Sequence, residues 1–497
     1  MNEKKIFLQG FSSGLFVKLG SAILSFLIIP IYINYFGNND YGSIIVLTTA
    51  ISIASIINIG LPSAIATIGA QSFTYQKVYY LFKSTFFPYI IYLLLCLFLL
   101  TFLFDHFNTL IFNVLLKSSL TISHSIFLTL IIIASAVSGY IQSLFTALHK
   151  LHLANFLQGF ATLQYPLALF ITISLNENIQ FYFSIASLFA CMNIVVFLFL
   201  YLKFYIPKEK IEPLLDYFHS KQNIAITSLT ALSITIISLI INQVDVLIIS
   251  YYLTKTEVVK YSILAKIIGL EILLYGVFFG AITPLIAKWY RQNNFDKIKF
   301  IHHISFNVMS IVGGVILLGN MLFMQKFITL WVGESQYIGT INVLIYSFFI
   351  YLFGMYSINY ITFSSFNIKR KMTLIASIIE PTIKIVLSIL FTKYFGVTGT
   401  LLSMFLLGLF ITFPLTTFFL YNFSNGLIQV NISYPFKNFC LLISPLLIVS
   451  YYLSSSNVLL LIPAAFLLLA IYTIGSWYQL DTNQRNQAIQ LFGKRHE

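Results

Sequence analysis

The chain alternates long apolar runs with short polar or turn-rich breaks from one end to the other. Each run is about 20 residues or longer, enough for a helix to cross a hydrocarbon core of about 30 Å. The second, fourth, eighth and tenth runs are longer still, so we expect those helices to tilt or to extend beyond the headgroups. The pattern predicts about fourteen transmembrane helices, near residues 11–34, 41–71, 84–104, 121–148, 154–174, 180–202, 223–252, 258–287, 304–324, 338–366, 372–392, 397–420, 435–453 and 457–476.

Composition narrows the class of protein. Of the 497 residues, 59% are hydrophobic and only 9% are charged. No soluble fold could hide so much apolar surface, so we predict an all-α polytopic membrane protein. Cys96, Cys191 and Cys440 lie in apolar runs without metal-ligand spacing around them, and we expect neither a metal site nor a cofactor.

The formal charge of +13 is explained by membrane topology. With the N-terminus inside, the predicted outer loops hold only Lys117, Lys255, Lys326 and Lys393, whereas twenty other Lys and Arg residues fall in cytoplasmic segments. This asymmetry follows the positive-inside rule and supports an even number of helices with both termini in the cytoplasm. The basic excess therefore needs no nucleic acid as a partner.

A polar midpoint and a weak internal repeat predict two halves. Residues 203–222 are rich in Lys, Glu and Pro, as expected of a cytoplasmic linker. The stretch YFGNNDYGS at 35–43 aligns with YYLTKTE at 251–257 followed by YS at 261–262, and both join an odd-numbered helix to the next one. A direct repeat of six helices relates two lobes by an axis along the membrane normal. We predict an N-terminal lobe at 1–202, a C-terminal lobe at 223–425, and a last helix pair with a cytoplasmic tail at 426–497.

Several short motifs follow one another in a fairly specific order and spacing. They are GSAILS at 20–25 through Pro30, YFG at 35–37, DYG at 40–42, NIGLPSA at 58–64, DVLIISYYL at 245–253 followed by YS at 261–262, LWVGE at 330–334 and FGVTGT at 395–400. In these motifs the chain, over roughly residues 10–420, resembles the bacterial polysaccharide and O-antigen flippases of the multidrug, oligosaccharidyl-lipid and polysaccharide exporter superfamily. Asn58 departs from the pattern, since many members of that family carry an acidic residue there.

The resemblance implies both a fold and a substrate. The fold would be MATE-like, with two parallel six-helix lobes plus two C-terminal helices. The substrate would be an undecaprenyl-diphosphate-linked oligosaccharide repeat unit, turned from the inner to the outer leaflet of the bacterial cytoplasmic membrane by alternating access. Membrane lipids and other polysaccharide assembly proteins are the further expected partners, and the protein is expected to be a monomer.

Six ionisable residues well inside the predicted spans are the candidate site. Charges in hydrocarbon are costly and usually face a bundle interior or a wet cavity. The cations suit the diphosphate of the substrate, and the acids suit coupling or gating, with H+ and Na+ both open as the driving ion. The proposed cavity cations are Lys18, Lys266 and Lys384, and the proposed coupling or gating residues are Asp245, Glu271 and Glu380.

Structural explanations stay open for the same residues. Lys18 could snorkel to the inner headgroups, and Asp245 could make a polar contact between helices. Glu271 could pair with a lysine from another helix. Its spacing of five residues from Lys266 turns the two side chains about 140° apart on a helix, so they cannot easily pair with each other.

The eleventh predicted helix combines a charge pair with a helix breaker. Glu380 and Lys384 are four residues apart with the acid first, which favours an intrahelical ion pair. Pro381 removes a backbone donor and should kink the helix near its middle. A kink beside a charge pair suits a hinge or a binding corner, and Pro381 is the predicted hinge.

Other side chains give weaker signals. Tyr346, Tyr351, Tyr356 and Tyr360 could stack on sugars, but tyrosines more often pack in bundles or lie at membrane interfaces. The pair at 302–303, two adjacent histidines, falls in a predicted basic cytoplasmic loop without ligand spacing.

Two other classes of protein are weighed against the flippase. A multidrug or cation antiporter of the same fold is the first alternative, although cationic drugs favour an acidic cavity and these spans are rich in lysine. A membrane-embedded glycan polymerase is the second, but such enzymes commonly need a sizeable loop with catalytic acids, which no predicted outer loop provides. We therefore expect a transporter rather than an enzyme, without catalytic residues.

Overall fold

The computed structural model shows an all-helical chain in the part it describes. The structure describes residues 16–17, 19–54, 58, 60–72, 84–96, 122–148, 150–205, 228, 232, 243–364, 370–430, 432–438, 440–441, 470 and 472–475. Within these residues every regular element is a helix. The all-α prediction is confirmed to that extent.

The helices follow the apolar runs along the chain. In order they are α1 (Leu19–Leu27), α2 (Ile29–Ala54), α3 (Leu61–Ser72), α4 (Ser84–Cys96), α5 (Ile122–Ala147), α6 (Leu151–Thr162), α7 (Gln164–Ser174), α8 (Ile179–Tyr205), α9 (243–252 of the described residues), α10 (Lys255–Arg291), α11 (Phe295–Val332), α12 (Thr340–Ser364), α13 (Arg370–Phe395), α14 (Val397–Leu407) and α15 (Phe413–Phe423). A π-helical segment, Gly408–Thr412, joins α14 to α15.

Many of these helices are long and apolar enough to cross a bilayer. Six spans meet that condition within the described residues, or seven if the bent pair α1–α2 counts as one span. The helices α10 and α13, of 37 and 26 residues, are also long enough to cross a bilayer. The chain is therefore a multi-pass membrane protein. The count of fourteen stays a prediction, because several of the predicted spans lie partly outside the described residues.

Three of the predicted spans are broken, two of them at a proline or a glycine. The first run bends by 47° between α1 and α2, where Pro30 cannot donate the helical hydrogen bond back to residue 26. The second run, expected to be one long helix, is interrupted at Gly60, whose φ of +66° favours glycine. The run at 154–174 divides at Leu163, between α6 and α7. Gly37, with φ of 73°, forms the expected break between the first two spans inside α2.

Some helix ends lie well beyond the predicted limits. The run predicted at 304–324 forms the 38-residue helix α11. Its first turn holds Asp296, and the side chain of Asn294 accepts a hydrogen bond from the backbone N–H of Lys297, which is a common helix N-cap. The histidines at 302–303 are consequently helical, and placing them in a loop was wrong. Hydropathy marks where a helix is apolar, not where its hydrogen bonds end.

The chain divides into two compact units, Met1–Val259 and Lys260–Glu497. The division falls within α10, and most of the predicted linker at 203–222 lies outside the described residues, so the predicted lobe boundaries stay predictions.

Unit 1 is held together by a core of aliphatic and aromatic side chains. Tyr140 and Phe145 of α5 are fully buried, and they pack with side chains from α3, α4, α6 and α8. Tyr89 of α4 stacks on Tyr140 at 4.8 Å between ring centroids. Its hydroxyl donates to Oδ1 of Asn58 at 2.8 Å, so the neutral residue at this position serves as a hydrogen-bond acceptor.

Unit 2 is built around the antiparallel pair α11 and α12, with small residues at the closest approaches. A Cβ atom on Gly313 would lie 3.1 Å from Cα of Tyr351, and one on Gly354 would lie 2.8 Å from Cε1 of Tyr275. Glycine therefore allows α10, α11 and α12 to approach each other closely, as is usual for membrane helices.

Candidate functional site

The six predicted site charges have different environments. Lys18 lies outside the described residues. Asp245 of α9 is buried in unit 1, with an exposed fraction of 1%. In unit 2, Glu271 and Lys384 are buried, Glu380 is partly buried and Lys266 is exposed. The roles predicted for them stay predictions.

Lys266 and Glu271 lie on different faces of α10, as their spacing requires. Within the described part of the chain Lys266 makes no hydrogen bond or ion pair. Its side chain is accessible, yet surrounding protein partly desolvates its ammonium group. An ammonium group that is both accessible and partly desolvated lies in a recess of the surface and not on an open convex face.

Glu271 is surrounded by polar side chains of three helices in unit 2. The hydroxyl of Tyr346 on α12 donates to Oε2 of Glu271. The amide of Asn320 on α11 faces the same carboxyl group. One turn along α10, the hydroxyl of Tyr275 donates to the backbone oxygen of Ile350 at 3.4 Å. The carboxyl group is thus fixed where α10, α11 and α12 meet.

A second polar cluster joins α11 and α12 to the end of the chain. The hydroxyls of Ser310 and Tyr351 lie 2.9 Å apart, and Tyr351 donates to the backbone oxygen of Pro435 at 3.0 Å. Nδ2 of Asn438 donates to Ser310 Oγ at 3.3 Å, and the hydroxyl of Tyr472 donates to the Ser310 backbone oxygen at 3.3 Å. The described parts of the last helix pair are therefore bonded into unit 2.

The charge pair on α13 faces the π-helical segment. The hydroxyl of Thr412 donates to Oε1 of Glu380 at 2.7 Å. Lys384 lies one turn further along α13 and interacts electrostatically with Glu380. Pro381 is buried within the helix. π-helical turns occur mostly as single bulges, frequently at functional sites, and here such a turn bonds to Glu380 beside Pro381. The hinge at Pro381 stays a prediction.

The tyrosine run of α12 has two environments. Tyr346 and Tyr351 are buried in the hydrogen-bonded clusters above, while Tyr360 is half exposed. Tyr356 is near enough to Glu380 to interact with it electrostatically. The buried tyrosines thus belong to the interior of unit 2, and Tyr360 alone of these four residues is exposed.

A buried histidine was missed by sequence reasoning. His302 is fully buried, and its Nε2 lies 2.9 Å from Oδ1 of Asn359. Nδ2 of Asn359 donates to Thr417 Oγ1 at 3.1 Å, so this chain of polar groups joins α11, α12 and α15. Because Oδ1 of an amide accepts hydrogen bonds, Nε2 of His302 must carry the hydrogen. The polar residue Asn359 within an apolar run was the available signal.

In unit 1 the two segments of the predicted repeat meet. A Cβ on Gly42 would lie 2.8 Å from the backbone oxygen of Lys255. The carboxylate of Asp40 interacts electrostatically with the Lys255 ammonium. The segment 35–43 therefore packs directly against the segment 251–257.

These features define a polytopic membrane protein whose helices bury several charged groups. The chain belongs to the polysaccharide biosynthesis protein family, whose model matches residues 7–289. The resemblance drawn from the sequence motifs is thereby confirmed. A sequence comparison with curated proteins gives no match.

Solved structures show the same fold over most of the chain. The lipid II flippase MurJ in an inward closed conformation matches with a TM-score of 0.70 at 14% identity, covering 94% of this chain and 99% of the flippase. An inward-facing multidrug resistance transporter of the MATE family, in the MOP superfamily, matches with a TM-score of 0.59 at 13% identity, covering 80% and 94%. A MATE protein in a bent conformation matches at 0.53 and 14%, covering 86% and 97%. At 13–14% identity these likenesses show that the chain shares this fold.

Proposed function

We propose that this protein is a flippase that moves an undecaprenyl-diphosphate-linked oligosaccharide from the inner to the outer leaflet of the bacterial cytoplasmic membrane. The family is one of polysaccharide biosynthesis, and the lipid II flippase shares the fold along nearly the whole chain. The repeat unit of an O-antigen or a related polysaccharide is the substrate that best joins these two findings.

One structural observation carries the proposal, namely Lys266 of α10, which is accessible and makes no ion pair with any residue that the structure describes. A lysine at membrane depth requires water or an anion. A diphosphate supplies that anion and accepts charge-assisted hydrogen bonds from an ammonium group. Lys18 and Lys384 remain proposed as further cations, although Lys384 is buried with an exposed fraction of 2%.

The mechanism we propose is alternating access between two parallel six-helix lobes. The full arrangement would have fourteen spans with both termini in the cytoplasm, as the distribution of Lys and Arg supports. The protein would act as a monomer beside other polysaccharide assembly proteins. An ion gradient would drive turnover, with Asp245, Glu271 and Glu380 as candidates for coupling or gating and Pro381 as a candidate hinge.

The test is a deletion of the gene in a host that lacks other flippases of this family. We expect lipid-linked repeat units to accumulate on the cytoplasmic face and surface glycan to disappear. A plasmid copy should restore the glycan, whereas Lys266→Gln should reduce flipping at limiting substrate by roughly tenfold or more, since a hydrogen bond to a charged group contributes about 1.5–3 kcal/mol. The matched control is Lys326→Gln, near the end of α11. Normal surface glycan in the deletion strain overturns the proposal.

A multidrug exporter is the second candidate, because MATE transporters share the fold. The same strain distinguishes the two functions. Dye or antibiotic efflux that depends on the gene, together with unchanged surface glycan, would favour the exporter.

A further inference from the structure

The carboxyl group of Glu271 is buried, and no cation neutralises it within the described part of the chain. Glu271 lies near the middle of α10 and is only 9% exposed. Among the described residues its neighbours are Tyr346, Asn320 and Tyr275, and no Lys, Arg or His pairs with it. A charged carboxylate at this depth is unfavourable, so the neutral acid is an accessible state.

The groups around this carboxyl are hydrogen-bond donors. The Tyr346 hydroxyl donates to Oε2. The Asn320 amide interacts with the carboxyl, and its buried Nδ2, a donor, makes no hydrogen bond within the described residues. Donors stabilise the carboxylate, whereas burial stabilises the neutral acid. The two effects oppose each other, which brings both protonation states within reach.

This arrangement suits a proton better than a metal cation. A hard cation such as Na+ needs several oxygen ligands. Here Tyr346 directs its hydrogen toward Glu271, and Asn320 presents an amide that carries hydrogens. Glu271 is thus the one anionic ligand within this cluster, and the described residues contain no group of three or more His, Cys, Asp or Glu that could hold a metal ion.

A change of charge at Glu271 acts on a tight helix contact. Tyr275 lies one turn away and interacts electrostatically with Glu271, Tyr351 and Tyr472. The same ring packs against Gly354 of α12, where a Cβ would lie 2.8 Å from Cε1 of Tyr275. Among the described residues, the other titratable groups that interact with Tyr275 are the phenols of Tyr351 and Tyr472, so Glu271 is the one carboxyl group at this contact. Its protonation state therefore alters the contact between α10 and α12.

We propose that the driving ion is a proton and that Glu271 carries it. The carboxylate takes up a proton that arrives from one side of the membrane, which gives the neutral acid, and releases it to the other side. No covalent bond other than this O–H bond forms or breaks. The inference rests on the proposed flippase function and specifies its coupling ion and the residue that binds it.

Infrared difference spectroscopy of the purified full-length protein tests the protonation directly. During a pH titration, the wild-type protein should show a carbonyl band of a protonated carboxylic acid that Glu271→Gln removes. The matched control, Glu177→Gln, changes an exposed glutamate in the turn after α7 and should keep the band. Tyr346→Phe removes the hydrogen bond and should shift the band, which tests the site if Glu271→Gln folds poorly. If neither Glu271→Gln nor Tyr346→Phe changes a carbonyl band of a protonated carboxylic acid, the inference is overturned.

Proteoliposomes distinguish this inference from the flippase function. The probe is the undecaprenyl-diphosphate-linked repeat unit extracted from the host membrane. Flipping should accelerate with an imposed pH gradient, remain unchanged when K+ replaces Na+, and lose its response to the gradient in Glu271→Gln. Flipping that ignores the pH gradient or requires Na+ overturns the proton inference and leaves the flippase function intact. Failure to flip the probe, with the Glu271 band present, overturns the function and leaves the protonation site.

Discussion

Replacing Gly399 with alanine should destabilise unit 2 at the turn between α13 and α14. The turn begins at Gly396, which has a φ of +62°, and brings the start of α14 against the end of α13. A Cβ on Gly399 would lie 2.0 Å from the backbone oxygen of Phe391 and 2.3 Å from its carbonyl carbon. A Cβ atom essentially never approaches another heavy atom more closely than 3.0 Å, so the two helices must separate by about 1 Å.

The separation strains two hydrogen-bonded pairs as well as the backbone. The side-chain oxygens of Thr392 and Thr400 lie 2.7 Å apart, and those of Ser388 and Ser403 lie 2.8 Å apart. Overpacking contributes about 1–3 kcal/mol of destabilisation, and each interhelical hydrogen bond in a membrane protein about 0.6 kcal/mol. The better helix propensity of alanine offsets up to about 1 kcal/mol. The net loss of stability is about 1–3 kcal/mol.

The assay is thermal unfolding of the purified protein in detergent, followed by size-exclusion chromatography with fluorescence detection. Gly399→Ala should lower the melting midpoint by several degrees. The matched control is Gly319→Ala on α11, where a Cβ meets nothing within 4 Å, so the midpoint should stay equal or rise. Equal midpoints for wild type and Gly399→Ala would refute the reasoning, because the close contact at the turn would then be absent.

Two further predictions concern glycines in close contacts. Gly314→Ala should lower the melting midpoint, since its Cβ would lie 2.0 Å from the Tyr472 hydroxyl. Tyr472→Ala added to the same protein should recover part of that loss. If the two substitutions instead lower the midpoint by the sum of their separate effects, the contact is absent. Gly42→Ala should loosen the segment at Lys255, measured as faster maleimide labelling of Lys255→Cys, whereas Gly139→Ala, which meets nothing within 4 Å, should leave the labelling rate unchanged. Equal labelling rates in all three proteins would show that the two repeat segments do not pack as described.

Helix positions were largely predictable, but helix breaks were not. The apolar runs located α5, α8 and α12 to within a few residues. Gly60 and Leu163 interrupt runs whose hydropathy is continuous, because a break depends on backbone geometry and neighbouring contacts as well as on polarity. The true start of α11 was missed for a related reason, since charged residues at the membrane surface can still be helical.

The candidate site was predictable as a set of residues but not as a set of contacts. Acidic and basic residues within apolar runs stand out in the sequence, and the five-residue spacing correctly separated Lys266 from Glu271 on α10. The sequence offered a lysine as the structural partner of Glu271. Among the described residues, the structure places Tyr346 and Asn320 there instead, 75 and 49 residues further along the chain than Glu271.

Hydropathy and charge along the chain were sufficient to determine a multi-pass helical membrane protein, because the free energy of transferring a residue into lipid depends mainly on that residue and its near neighbours. The motif series was sufficient to determine the family. Only the tertiary structure decided which polar side chains meet, since that depends on how each helix is rotated and on which glycines let it approach its neighbour. Gly354 against Tyr275 is such a case. It sets the distance between α10 and α12, and with it the surroundings of Glu271.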